Sequence, residues 1–327
     1  MQTDNRNLNL DLIRFVAIVL VMFVHSQRFL DASIQEAGPG SIGSWVKLLL
    51  FPVGACNALF VMVSGALLLR RVDGVCDFFR RRLVRILVPF VIWASAAFLI
   101  SQWRGGGAWG WNTLLLYVQQ MLTSGTNTAH WFVYMILGLY LFTPLLQRFV
   151  NRAEESVVLL TVLVLGCLSC KGVLMKNTTF EMLRSPDCVY FFAFLTGYYA
   201  SHYWQMKRNF LPLQWAGLVV TFLLCVADSL WTLNGFPSEL YLAVFVFGLL
   251  LKVPLSEDTL WCRFYSLVSR NSYGIYLSHI MFIPVLFPLM PYIPAWLTPF
   301  VLVLLTLGVE AAFFRLLERL RLTRFLT

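Results

Sequence analysis

Long apolar segments separated by short polar ones run the length of the chain. Windows of about 20 apolar residues are needed to cross a bilayer as a helix. Such windows lie at 9–29, 48–69, 86–101, 131–149, 156–174, 186–204, 211–231, 239–255, 272–293 and 296–316. The pattern predicts an all-α polytopic membrane protein with about ten transmembrane helices. The window at 86–101 is short and begins among arginines, so hydropathy alone does not define its first residue.

The distribution of basic residues predicts the orientation of these helices. If the N-terminus is inside, the cytoplasmic segments carry 18 of the 25 Lys and Arg residues, the opposite segments carry six, and Arg14 lies within the first span. Basic residues concentrate in cytoplasmic loops, so we expect both termini in the cytoplasm. The net charge of +9 then reflects topology and contact with anionic lipid, and we expect no nucleic acid partner.

Composition predicts one membrane-embedded domain, residues 1–327, without a separate soluble domain. The chain is 59% hydrophobic and 13% charged, whereas soluble domains have about 25% charged residues. The longest extramembrane segment, 102–130, is too short for a soluble domain. Its glycines precede an apolar stretch, which predicts a turn followed by a helix at the membrane interface. We expect no metal site, because Cys167 and Cys170 form a C-x-x-C without further ligands nearby in the sequence.

Ionisable residues interrupt the first span. Arg14 and His25 are eleven positions apart, so on a helix they lie within about 20° of each other and roughly 16 Å apart along the axis. Ionisable side chains at membrane depth usually face a cavity or a partner, although Arg14 is near the helix end and can also snorkel to the surface. Asp11 is one turn before Arg14 and can pair with it, which favours an orienting role for Asp11.

Two later spans also contain buried ionisable residues. His279 and Glu310 fall in the ninth and tenth spans, and by this topology both lie nearer the cytoplasmic side, where they can form one polar cluster with Arg14. A neutral imidazole accepts a proton near pH 7, so His25 is a candidate general base. A structural histidine is the alternative. His130 and His202 lie at span edges and need no special role.

Arg82 and Arg85 begin the third span and share a helix face, being three residues apart. The ordinary interpretation is that they contact phospholipid headgroups. The more specific interpretation is that they bind the phosphates of a soluble anionic substrate, because the guanidinium group is well shaped to bind phosphate.

Five segments, in order, resemble acyltransferase family 3 of membrane O-acyltransferases. Its opening Arg-x10-His with a preceding Leu-Asp is found at Asp11, Arg14 and His25. A partial match to its Phe-rich stretch ends in Ser-Gly, at Ser64 and Gly65, with only Phe60 remaining of the phenylalanines. Its R-x-x-R motif is found at Arg82 and Arg85. Its W-F pair before a proline is found at Trp131, Phe132 and Pro144. Its S-Y-G-I-Y-L-x-H segment is found at Ser272, Tyr273, Gly274, Tyr276 and His279.

The resemblance implies transfer of an acyl group, most often acetyl, from cytoplasmic acyl-CoA to a sugar hydroxyl at or beyond the outer face of the bacterial inner membrane. The partners would be acyl-CoA as donor substrate, a glycan or lipid-linked sugar as acceptor, and membrane lipid, with no bound cofactor. Some members carry an additional extracytoplasmic hydrolase-like domain. We expect transfer in this chain to be completed within the membrane domain.

Site roles follow from this resemblance together with the residue chemistry. Arg14, Arg82 and Arg85 would bind the acyl-CoA phosphates, and His25 would be the general base, with His279 as the competing candidate. Supporting roles are expected for Asp11, Ser64, Trp131, Tyr273, Tyr276 and Glu310.

Two other functional classes are compatible with buried charges and ten spans. A flippase or transporter for a lipid-linked sugar is one, although we find neither inverted repeats nor matching broken helices. A non-catalytic membrane partner in glycan assembly, with structural histidines, is the other.

Overall fold

The computed structural model describes residues 7–27, 30, 31, 34, 40–107, 110–123, 125, 126, 129–170, 187–204, 211–231 and 237–327. The first half contains the helices α1 (Leu8–Ser26), α2 (Ile42–Leu50), α3 (Ala55–Leu68), α4 (Val75–Arg104), α5 (Trp111–Thr123), α6 (Trp131–Val150) and α7 (Glu155–Ser169). The second half contains α8 (Asp187–Tyr199), α9 (Leu211–Trp231), α10 (Ser238–Leu250), α11 (Leu260–Arg270), α12 (Ser272–Phe282), α13 (Thr298–Arg319) and α14 (Thr323–Leu326).

Regular structure within the described residues is entirely helical, which confirms the all-α prediction. Seven helices there are long and apolar enough to cross a membrane, with α2 and α3 joined into one span through a 3₁₀ turn at Phe51–Gly54. Helices α7 and α10 are apolar but shorter. Helical segments occupy each of the ten predicted windows. The count of ten crossings and the cytoplasmic termini remain predictions.

The structure differs from the hydropathy pattern in detail at three places, and at the first of them a predicted boundary was wrong. Helix α4 begins at Val75, well before the window at 86–101, because its basic first turns are helical without being apolar and hydropathy does not register them. Helix α11 forms where a cytoplasmic loop was predicted, and the Thr259 side chain caps it by accepting a hydrogen bond from the Cys262 amide. The window at 272–293 is α12 followed by a 3₁₀ segment, Ile283–Tyr292, which is rich in prolines.

Helix α1 is central to the bundle, and it packs against α3, α11, α12 and α13. Helices α3 and α8 approach each other closely at two glycines. A Cβ added to Gly65 would lie 1.8 Å from the Phe194 carbonyl oxygen, and one added to Gly197 would lie 2.0 Å from that of Met62. Small residues allow such contact between membrane helices. These two glycines therefore hold α3 and α8 together.

The segment 102–130 contains the predicted helix, α5, after a turn at Gly105 and Gly106. No residue of α5 is buried, and leucines and Trp111 are exposed along it. The helix is confirmed, while its location at the membrane interface remains a prediction.

Candidate functional site

A cavity of about 240 Å³ opens between α1, α3, α4, α6 and α12. Its charged lining residues, among those the structure describes, are all arginines: Arg14, Arg82, Arg85 and Arg270. We call it the arginine cavity. Its remaining wall includes the predicted site residues Ser64, Tyr273 and Tyr276. Residues from distant parts of the chain thus meet where the sequence predicted an anionic ligand.

Buried polar contacts position Arg14. Its Nη1 lies 3.5 Å from Oδ1 of Asp11, which is buried. The Ser269 hydroxyl donates a hydrogen bond of 2.7 Å to the same Asp11 oxygen. This contact ties α11 to α1 and turns Arg14 toward the cavity, an arrangement that fits the orienting role predicted for Asp11.

Arg82 and Arg85 also line a second, smaller cavity of about 180 Å³, next to the first. Arg71 and Arg81 contribute to its wall, and Arg81 is paired with Asp73 at 3.0 Å. Since Arg82 and Arg85 belong to both walls, one ligand with several phosphate groups can contact both cavities at once. The guanidinium group binds phosphate through two parallel hydrogen bonds.

The tyrosines of α12 fix the far wall of the arginine cavity. Tyr273 donates a hydrogen bond of 3.0 Å to the Ile86 carbonyl, which joins α12 to α4. Tyr276 donates to the Ala129 carbonyl and packs against Phe132, with ring centroids 5.4 Å apart. Tyr276 therefore closes the end of the cavity opposite the arginines.

Beyond Tyr276 lie the two candidate general bases. The rings of His25 and His279 have centroids 5.0 Å apart, and the His279 ring lies 5.9 Å from that of Tyr276. His279 is fully buried, whereas His25 is partly exposed. Neither His25 nor His279 is among the described residues that line the arginine cavity. The arginine cavity therefore ends at Tyr276, short of both histidines.

One hydrogen bond defines the tautomer of His279. Its Nδ1 is 2.6 Å from the Tyr276 carbonyl oxygen, which can only accept, so Nδ1 carries the proton. In the neutral ring Nε2 then has a free lone pair, and it is buried without a hydrogen-bond partner among the described residues. His279 thus presents a proton-accepting nitrogen in the same region as His25.

The predicted cluster of Arg14, His279 and Glu310 was wrong. His279 lies beside His25, at the other end of α1 from Arg14. Glu310 pairs with a hydroxyl: its Oε1 accepts a hydrogen bond of 2.7 Å from Ser278. The error arose because the cluster was inferred from positions within single apolar windows, whereas the neighbours of His279 depend on how α12 packs against α1.

The remaining predicted residues lie around this region. Ser64 lines the arginine cavity and donates a hydrogen bond to the Phe60 carbonyl at 3.0 Å. Trp131 is 42% exposed and does not itself line the arginine cavity, but its ring packs on Tyr190 and edge-on to Phe132, which does line it. Its supporting role remains a prediction.

Sequence reasoning gave no role to His130. The structure buries this residue, which is 1% exposed, with its ring edge-on to Phe90. Neither ring nitrogen has a hydrogen-bond partner among the described residues. Its place directly before Trp131-Phe132 was the only available signal.

Comparison with protein-family models matches residues 7–315 to a family described as an acyltransferase domain. The match begins before α1 and extends into α13, so it includes every candidate site residue named above. No curated protein matches the chain, and no solved structure does.

Proposed function

This chain belongs to acyltransferase family 3, and on that premise we propose that it is an O-acyltransferase of the bacterial inner membrane. The donor is cytoplasmic acyl-CoA, with acetyl as the expected acyl group. The acceptor is a hydroxyl of a cell-surface or lipid-linked sugar. Polysaccharide modification of this kind needs a donor site and an acceptor site on opposite sides of one membrane domain.

The arrangement of the arginine cavity is the observation that carries the proposal. Arg14, Arg82 and Arg85 stand at one end, and Tyr276, backed by His279 and His25, stands at the other. An acyl-CoA has a polyanionic nucleotide end and a thioester on a thin arm. Arginines would hold the phosphates while the arm extends toward Tyr276. The axial separation of Arg14 and His25, roughly 16 Å, is comparable to the reach of that arm.

The chemistry then needs one proton acceptor beside the thioester. A histidine removes the proton of the sugar hydroxyl as its oxygen attacks the thioester carbonyl carbon. The carbon–sulfur bond breaks, coenzyme A leaves as a thiolate, and the imidazolium returns the proton to that sulfur. General base catalysis of this type contributes roughly 10²–10⁴-fold in rate.

We assign the base to His25 because of its exposure. His25 is partly exposed, whereas His279 is fully enclosed, so an acceptor that arrives from outside reaches His25 first. His279 is the alternative base, because its Nε2 is free of hydrogen bonds among the described residues. Movement of Tyr276 would open the arginine cavity to both.

Membrane vesicles of known orientation test the proposal. Labelled acetyl-CoA is supplied on the cytoplasmic side, and label is measured on glycan with the intact chain and with a His25→Ala variant. Label on glycan with the intact chain alone is the expected result. Glycan that crosses without label would indicate a flippase, and the absence of both would indicate a non-catalytic partner.

A further inference from the structure

A cavity of about 330 Å³ lies at the opposite end of the bundle from the arginines. Gln27, which follows α1, donates a hydrogen bond of 2.9 Å to the Leu50 carbonyl. The start of the 3₁₀ turn at Phe51–Gly54 is therefore level with the His25 end of α1, and that turn forms one side of the cavity. We call this the acidic cavity.

The lining of the acidic cavity combines several kinds of hydrogen-bonding group with aromatic rings. It includes an amide, a phenol, a hydroxyl and two carboxylates, contributed by Asn57, Tyr190, Ser238, Asp228 and Glu239. The Ser238 hydroxyl donates to Asp228 Oδ2 at 3.1 Å. Of the described lining residues, none is Lys, Arg or His. The acidic cavity thus has the opposite charge to the arginine cavity.

Glu239 owes its position to a glycine. A Cβ added to Gly54 would lie 1.9 Å from Glu239 Oε2. The carboxylate therefore rests directly on the backbone of the 3₁₀ turn, in space that any larger residue would fill. This contact holds the carboxylate at the cavity wall, where a ligand can reach it.

A layer of aromatic rings lies between the acidic cavity and the candidate catalytic residues. Tyr190 lines the cavity, and its ring centroid is 6.1 Å from that of Trp131. The Trp131 ring packs edge-on to Phe132, and the Phe132 ring packs on Tyr276. Tyr276 in turn packs on His279. A ligand in the acidic cavity would lie across this layer from the arginine cavity.

We infer that the acidic cavity binds the acceptor sugar and selects neutral or amine-bearing sugars over sugars with a carboxylate or phosphate. The inference rests on the proposed acyltransferase function. Carboxylates form strong hydrogen bonds with hydroxyl and ammonium donors, and rings such as Tyr190 offer a face to the apolar side of a sugar. The Asp228 carboxylate repels a carboxylate or phosphate group enclosed beside it, because like charges at short range in a partly desolvated site are costly.

Weak sugar binding is measured directly, without acyl transfer. The full chain in lipid nanodiscs is titrated with N-acetylglucosamine, glucosamine and glucuronic acid, and saturation-transfer difference NMR reports binding up to the solubility of each sugar. N-acetylglucosamine and glucosamine should bind, and glucuronic acid should bind at least tenfold more weakly.

Asp228→Asn and Glu239→Gln should each reduce glucosamine binding at least tenfold. Asp258→Asn and Glu257→Gln, exposed acids outside the cavity, are the matched controls.

Three results would overturn the inference: no sugar binding, equal binding of glucuronic acid, or binding that the Asp228 and Glu239 variants leave unchanged. Acetyl-CoA binding by the same variants, measured by calorimetry, shows whether they are folded. If the intact chain shows the expected sugar selectivity but transfers no acyl group, the sugar site is supported and the proposed acyltransferase function is contradicted.

Discussion

His25 and His279 lie ring to ring, with centroids 5.0 Å apart, although one comes from α1 and the other from α12. The Nδ1–H of His279 is committed to the Tyr276 carbonyl. That bond holds the His279 ring in place and links it to the residue that closes the arginine cavity. Two imidazoles thus share one region, and the structure allows their roles to be separated by substitution.

Substitution of each histidine should separate the base from its neighbour. His25→Ala should reduce acetyl transfer by roughly 10²–10⁴-fold, with acetyl-CoA binding unchanged. His279→Asn retains an N–H donor for the Tyr276 carbonyl and removes Nε2, so it should lose much less activity. Initial rates with labelled acetyl-CoA measure both, with His202→Ala as control because His202 stacks on Tyr198, away from the pair. Near-normal activity of His25→Ala with an inactive His279→Asn would reverse the assignment.

The arginines should act on donor binding rather than on the chemical step. Arg82→Lys and Arg85→Lys keep the charge but lose the two-pronged contact with phosphate. We expect each to raise the KM for acetyl-CoA roughly 10- to 100-fold with little change in kcat, since one hydrogen bond to a charged group contributes about 1.5–3 kcal/mol. Arg148→Lys, an exposed arginine that lines neither arginine-rich cavity, is the control. An unchanged KM in both variants would argue for lipid contact instead.

Hydropathy predicted most of the fold, and its failures have a common physical cause. The apolar windows found the helices, because a membrane span must be both helical and apolar. Hydropathy could not find the start of α4 at Val75 or the whole of α11, because polar helical turns at the membrane edge resemble loops. It also could not show that the window at 272–293 changes from α-helix to 3₁₀ segment.

The candidate site was predictable where its residues lie on one helix. The helical period placed Arg14 and His25 on a common face and Arg82 beside Arg85. Contacts between helices were not predictable in this way. The pairing of His25 with His279, and of Glu310 with Ser278, depends on how α1, α12 and α13 pack, and periodicity within one helix contains no information about that.

The contact between α3 and α8 should not tolerate a single methyl group. Gly65→Ala or Gly197→Ala would place the new Cβ against a backbone carbonyl, at 1.8 Å and 2.0 Å respectively, so the helices must separate. We expect each to destabilise the protein by about 1–3 kcal/mol. Thermal unfolding in detergent measures this.

Gly138→Ala in α6 is the matched control for these two variants. An added Cβ there meets no atom within 4 Å, and alanine favours a helix over glycine by about 0.5–1 kcal/mol. Its unfolding temperature should therefore be equal or higher. If Gly65→Ala and Gly197→Ala unfold at the same temperature as Gly138→Ala, the close packing of α3 on α8 is contradicted.

Glu310 should act through its shape and one hydrogen bond rather than through its charge. The side chain is fully buried, Oε1 accepts from Ser278, and Oε2 has no hydrogen-bond partner among the described residues. Glu310→Gln keeps the Oε1 acceptor and the shape of the side chain, so its unfolding temperature and its transfer rate should be close to normal. Glu310→Ala removes the main acceptor of the Ser278 hydroxyl, which keeps only its 3.4 Å contact with the Ile275 carbonyl, and should cost about 1–3 kcal/mol. Unfolding and transfer are measured on both variants, and a folded but inactive Glu310→Gln would show that the carboxyl group takes part in the reaction.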